Sequence, residues 1–252
     1  MPDRRSWRGP HPKDQACFAP ASLRKLRAAV DDLSWLRQRG YASKAAAALV
    51  GNRYALRDRQ RMALQRCAAG ETECRRRRSR QADRASLRGE TIVIDGYNVL
   101  LTLEAGLSGG VLLRARDGAL RDLAAMSAHY RRVEATRPAL VLIAEFLQSC
   151  DCRNVIFYLD RPVSNSARLG RVVESAIAGS SSRWDVRLVA HVDRALKASP
   201  HIVATADSVI LDRCDRWFNL ARAIVEQAMP EAWIVDLSAP LDISEKLLVA
   251  RS

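Results

Sequence analysis

Three apolar runs in this chain stop on an aspartate. "TIVID" ends at Asp95, "NVIFYLD" at Asp160 and "HIVATAD" at Asp207. Each is short, rich in β-branched or aromatic residues and followed by turn formers, a pattern that predicts strands. Helical spacing fills the intervals: "ARDGALRDLAAMSAHYRR" from 115, "RPALVLIAEFLQSC" with Pro138 in its first turn, and "ARLGRVVESAIAG". "DVRLVAH" (185–191) and a closing "AWIVDLS" add two strands, and "DRWFNLARAIVEQAM" adds a helix. Strands that alternate with helices predict the α/β class, a mainly parallel sheet with helices on both faces.

Charge divides the chain. Residues 1–90 carry 22 Lys and Arg against 9 Asp and Glu, whereas residues 91–252 carry 19 of each, so the whole excess of +13 lies in the first third. That third reads as a small all-α basic module placed before the α/β part. Leu23, Leu26, Val30, Leu33 and Leu36 share one helical face within 21–39, ended by Gly40. "SKAAAALV" and "ALRDRQRMALQRCAA" predict two more helices. The expected organisation is a disordered arm at 1–20, a basic three-helix module at 21–70, an Arg-rich linker at 71–90, the α/β domain at 91–240 and a tail at 241–252. Arg53, Arg57, Arg59, Arg61 and Arg66, with the run Arg75, Arg76, Arg77 and Arg78, are the candidate contacts to a nucleic-acid backbone. A solvated basic face is the plainer account of any one of them.

Other classes are disfavoured. No apolar run approaches the ~20 residues of a membrane span, and the first residues lack the apolar stretch of a secretory signal. The expected location is therefore cytoplasmic. The six cysteines form no CxxC pair and have no histidine at zinc-finger spacing, which predicts free thiols.

In an open parallel sheet the carboxyl ends of the strands border the ligand crevice. If the three strands are neighbours, Asp95, Asp160 and Asp207 meet there, and their mutual repulsion favours a divalent cation. Hard oxygen donors with little His or Cys point to Mg²⁺ or Mn²⁺. A further acid is expected from a helix over the same edge. Asp117 is the first candidate, and Asp122 and Glu104 are the others. Asp212 and Asp215, just after Asp207, either add an outer ligand or cap the next helix. Asn98 is placed either to orient Asp95 or donate to phosphate, or to cap a helix.

The order of these motifs resembles the PIN-like nuclease superfamily, in particular its NYN branch. The resemblance rests on "DGYN" (Asp95 to Asn98), on "RARDGALRDL" with Asp117, on "VIFYLD" with Asp160 and on "TADSVI" with Asp207, and it spans about residues 91–240. The run "DRPVSNSARLG" after Asp160 departs from that pattern. Over its whole length the chain also resembles a group of prokaryotic proteins without assigned function, in which a basic helical module precedes such a domain. The nuclease resemblance implies metal-dependent hydrolysis of RNA phosphodiester bonds, with Asp95, Asp117, Asp160, Asp207 and Asn98 at the site and Asp95, Asp160 and Asp207 on the metal. An RNA-binding adaptor whose α/β domain no longer cuts is the alternative. Oligomerisation through the apolar helix at 138–148 stays open.

Overall fold

The β-branched run at 91–95 is buried along almost its whole length, as a strand covered on both faces must be. The computed structural model describes residues 8–124, 132–179 and 182–240. In chain order its elements are α1 (Asp14–Cys17), α2 (Pro20–Gln38), α3 (Ser43–Arg53), α4 (Asp58–Cys67), α5 (Glu71–Ser79), β1 (Thr91–Asp95), α6 (Gly96–Leu107), β2 (Leu112–Arg114), β3 (Leu120–Asp122) and α7 (Thr136–Ser149). They continue with β4 (Asn154–Asp160), α8 (Ser166–Ile177), β5 (Arg183–Val189), α9 (Val192–Lys197), β6 (Ile202–Ala204), α10 (Ser208–Leu211), β7 (Trp217–Phe218), α11 (Leu220–Ala228) and β8 (Ile234–Asp236). The class is α/β, with a five-stranded parallel sheet flanked by helices and an N-terminal helical segment. Among the described residues no helix is long and apolar enough to cross a membrane.

Two compact units emerge. The first takes residues 1–9, 80–110 and 124–232; the second takes 10–79, 111–123 and 233–252. The first unit contains the parallel sheet in the order β5-β4-β1-β6-β7. Its central strand contributes Ile92, Val93 and Ile94, all at most 1% exposed, while the edge strand β5 alternates between exposed and half-buried residues. The chain leaves β1 toward β4 on one side and leaves β6 toward β7 on the other. This reversal puts the topological switch point, where open sheets form their crevice, between the carboxyl ends of β1 and β6.

The second unit departs from the expected boundaries. Besides α1 to α5 it holds a three-stranded sheet, β3-β2-β8. Val111, Leu113, Ala115, Val235 and Leu237 share one core with Leu26, Val30, Leu33, Val50 and Leu64 of the helices. The closing strand therefore belongs here, paired parallel to β2, rather than to the main sheet. The expected helix from 115 is also replaced. β2 and β3 form an antiparallel hairpin closed by Gly118 at φ +82°, and the Ala119 N–H donates to Asp117 Oδ1 at 3.1 Å. Asp117-Gly118 in the turn between the two strands is hairpin chemistry. Residues 125–131 of that expected helix lie outside the described residues.

Most of the expected disordered arm is ordered from residue 8 onward, residues 1–7 being outside the described set. Cys17 and Phe18 enter the core, and Asp14, fully buried, is gripped by Arg59 through Nε at 2.7 Å. The expected linker begins as helix α5, and its Arg77 is 1% exposed.

Candidate active site

Asp95 ends β1 and caps α6, so strand and helix share the residue. Gly96 follows because there is no room for a side chain: a Cβ there would stand 2.4 Å from Phe157 Cε1 and 2.4 Å from the Tyr158 carbonyl oxygen. The glycine lets α6 start against β4. The Thr205 hydroxyl donates to Asp95 Oδ2 at 2.8 Å and accepts from the Asp207 N–H at 3.1 Å. Asp207 lies three residues past the end of β6, and its Oδ1 accepts from the N–H groups of Val209 at 2.7 Å and Ile210 at 3.4 Å. Asn98, in the first turn of α6, accepts from the Ala206 N–H at 2.8 Å and so ties that helix to the 205–207 segment. Asn98 Oδ1 thus holds the backbone of Ala206.

Asp160 ends β4, the strand on the other side of β1. Asp95 pairs across with Tyr158, so Asp160 stands two residues further along the edge. Asp95 responds to the other two acids. Burial above all pushes the Asp95 carboxyl up to about 7, and the charges of Asp207 and Asp160 add to this against the Thr205 hydrogen bond. Burial likewise raises Asp160, with Asp193 of α9 as its charged neighbour. Tyr97, 1% exposed, has its phenol raised to about 12 by burial and by Asp160.

From Asp160 a cleft of about 990 Å³ opens along α9. Asp193 and His191 line it, with Arg194, Lys197 and Arg213 also on its walls. Negative charge thus gathers at the sheet edge and positive charge beside it. Among the described residues no three His, Cys, Asp or Glu side chains converge closely enough to enclose a metal ion. The donors at the edge are all carboxylate oxygens, which suits Mg²⁺ or Mn²⁺, and Mg²⁺ is commonly held by one or two carboxylates with water and substrate phosphate completing its shell.

The remaining expected acids lie elsewhere. Asp117 belongs to the helical unit, where Arg77 reaches its Oδ2 at 2.7 Å and Arg121 holds both its oxygens at 2.9 and 2.7 Å. Burial works against its charge, but the two guanidiniums hold it well below the usual carboxylate range. Asp122, in the same unit, is buried with Arg66 at 3.9 Å. Glu104, fully buried in α6, pairs with Arg8 at 2.9 Å and accepts from the Thr136 hydroxyl at 2.5 Å. Asp212 ends α10, and its carbonyl oxygen accepts from Arg80 at 3.4 Å. Asp215 is exposed. Thr205 and Asp193 were missed. Asp193 obeys the same rule as the other acids, lying just past "DVRLVAH", so the strand-exit reading extended one strand outward finds it.

The nine candidate arginines divide. Arg59 is engaged by Asp14 and Arg77 by Asp117; Arg61 donates to the Leu56 carbonyl and to Asn52. Arg66 has Asp122 nearby, and Arg76 is half-buried. Arg57, Arg75 and Arg78 are exposed; Arg53 is also exposed, with Asp32 at 3.6 Å. The six cysteines are free and buried.

The chain is similar to two family models. Residues 84–223 match the model described as Domain of unknown function (DUF5616), and residues 25–80 match one described as Protein of unknown function (DUF434). An uncharacterized protein of Methanocaldococcus jannaschii, MJ0935, is 31% identical over 186 residues, covering 74% of this chain and 88% of its own length. No solved structure matches.

Proposed function

The chain belongs to the DUF5616 family, and we propose that it is a divalent-cation-dependent phosphodiesterase of the PIN-like type acting on RNA, with its site at the carboxyl edge of the five-stranded sheet. One observation carries the reading: Asp95 and Asp207 flank the switch point through a shared Thr205 hydroxyl, and Asp160 ends the adjacent strand. A divalent ion bound there would supply an activated water and neutralise charge on the phosphorus. Asp95, Asp160 and Asp207 would hold it. Burial makes the ionised form of Asp95 costly in the absence of a cation, and a bound divalent ion would relieve that cost. Asn98 fixes Ala206 and thereby the approach of Asp207. The basic wall of the adjoining cleft suits the substrate's phosphates, and the exposed Arg53, Arg57, Arg75 and Arg78 of the helical unit are separate candidates for phosphate contact.

The test is cleavage of end-labelled single-stranded and structured RNA by the full chain with Mn²⁺ or Mg²⁺. Cleavage is expected to stop with chelator and in Asp95→Asn, while RNA binding by that variant persists. A second reading, an RNA-binding adaptor that does not cut, draws on the fact that Asp207 is engaged in capping α10 and no three acids converge. Tight RNA binding without cleavage of any substrate by the unmodified chain would favour it.

A further inference from the structure

A second basic surface lies in the α/β unit, on residues other than those of the proposed site. Arg168, Arg171, Val172 and Ser175 fall at three- and four-residue spacing on one face of α8, while Leu169 and Val173 are buried. That burial fixes which way the arginines point. Arg132 and Arg137, around the start of α7, face the same groove, whose volume is about 500 Å³. Among the described residues Glu134 is the single carboxylate on its lining, leaving a net charge of +3 there.

Some arginines of this unit have oxygen partners: Arg8 has Glu104, Arg84 has Gln227 and Ser149, and Arg222 has Glu226. Among the described residues none of Arg132, Arg137, Arg168 and Arg171 has such a partner. Four exposed guanidiniums gathered on one concavity with a single carboxylate, Glu134, among its described lining form a surface short of anions. Their planar forks match phosphate oxygens. Guanidiniums are suited to the phosphate backbone, which carries no sequence information. None of the chain's exposed large hydrophobic side chains lies in the groove, which argues against insertion into a lipid surface.

We propose that this groove between α7 and α8 binds the phosphodiester backbone of a nucleic-acid strand. The inference stands on residues other than the acidic edge and survives if that edge proves not to cut. Fluorescence anisotropy of labelled oligouridylate and oligothymidylate, titrated with the full chain across a salt series, tests it. The Arg168→Ala/Arg171→Ala variant is expected to bind roughly ten-fold more weakly at low salt. Its plot of log affinity against log salt should be shallower by about 1.4, since about 0.7 of a counterion is released per single-strand phosphate contact. Arg168→Lys/Arg171→Lys should keep most of the slope. Loss on both oligomers supports a strand of either kind, and loss on oligouridylate alone supports RNA. Arg132→Ala/Arg137→Ala reads the opposite wall independently should the first variant lose its cooperative melt. Unchanged affinity and slope in both double variants overturn the proposal. So does a loss confined to phosphatidylserine vesicles with oligonucleotide binding intact. Asp95→Asn, run alongside, should bind like the parent chain, separating this groove from the cutting site.

Discussion

Asp95 sits where an ionised carboxylate is costly. Its pKa rises from the ordinary 3.8 to about 7 on folding, chiefly through burial. Between those values the native chain holds more protons than the unfolded one, so stability falls as pH rises through that window, by up to roughly 4 kcal/mol by linkage. In chelator, thermal melts at pH 8 should therefore lie below those at pH 5. Asp95→Asn should flatten the dependence, and Mn²⁺ at pH 8 should raise the melting temperature of the parent chain but not of the variant. Identical pH profiles for variant and parent would remove Asp95 as the source. Asp117 behaves oppositely, because Arg77 and Arg121 stabilise its charge and removing it takes from two buried guanidiniums the carboxylate they share, Arg77 keeping Glu73 at 3.8 Å. Asp117→Ala should cost about 3–5 kcal/mol in urea denaturation; a loss within experimental error would show that the triplet is not structural. The two aspartates illustrate what the sequence makes legible about the site. Asp95, Asp160 and Asp207 are marked by apolar β-rich runs that end on them. Asp117 lies in a stretch where an Asp-Gly turn and an acid in the first turn of a helix look alike, and only the partners supplied by α5 and β3 tell them apart. Thr205 carries no such mark, because a threonine inside a β-rich run reads as part of the strand.

At the scale of elements, composition works where a strand's own side chains decide its burial and fails where pairing partners decide. β1 and β4 match the apolar runs residue for residue because their burial is set by their own side chains. Sheet membership is another matter. "AWIVDLS" reads as a strand whichever sheet receives it, and its pairing with β2 depends on a core distant in sequence. The junction of β1 with α6 is the tightest local fit at the site. In Gly96→Ala the new methyl would meet the Tyr158 carbonyl and the Phe157 ring, neither the end of a flexible chain. α6 must then move off β4 and carry Asn98 with it. The expected cost is about 1–3 kcal/mol, accompanied by a loss of cleavage larger than the stability loss explains. Wild-type stability together with wild-type cleavage would mean that the junction is not rigid.

For the whole molecule the unit boundary and the sequence boundary differ. The two family matches meet near residues 80–84, as if the chain could be cut there. The core of the helical unit is nevertheless completed by strands at 111–123 and 233–237, supplied from beyond that point. A fragment of residues 84–240 would keep Val111, Leu113, Leu123, Val235 and Leu237 and lose every helix that buries them. Five apolar side chains would become solvent-exposed on one small sheet, an apolar patch of the kind that drives association. That fragment is expected to bind anilinonaphthalene sulfonate and to sediment as aggregate, while the full chain melts in cooperative transitions and binds little dye. A monodisperse fragment with a cooperative melt and no dye binding would show that the three strands are dispensable and that the basic helices can be removed as a block. If the fragment aggregates, the contribution of the basic module to RNA affinity has to be read from Arg53, Arg57, Arg75 and Arg78 variants of the full chain, since these exposed side chains can be changed without opening the core.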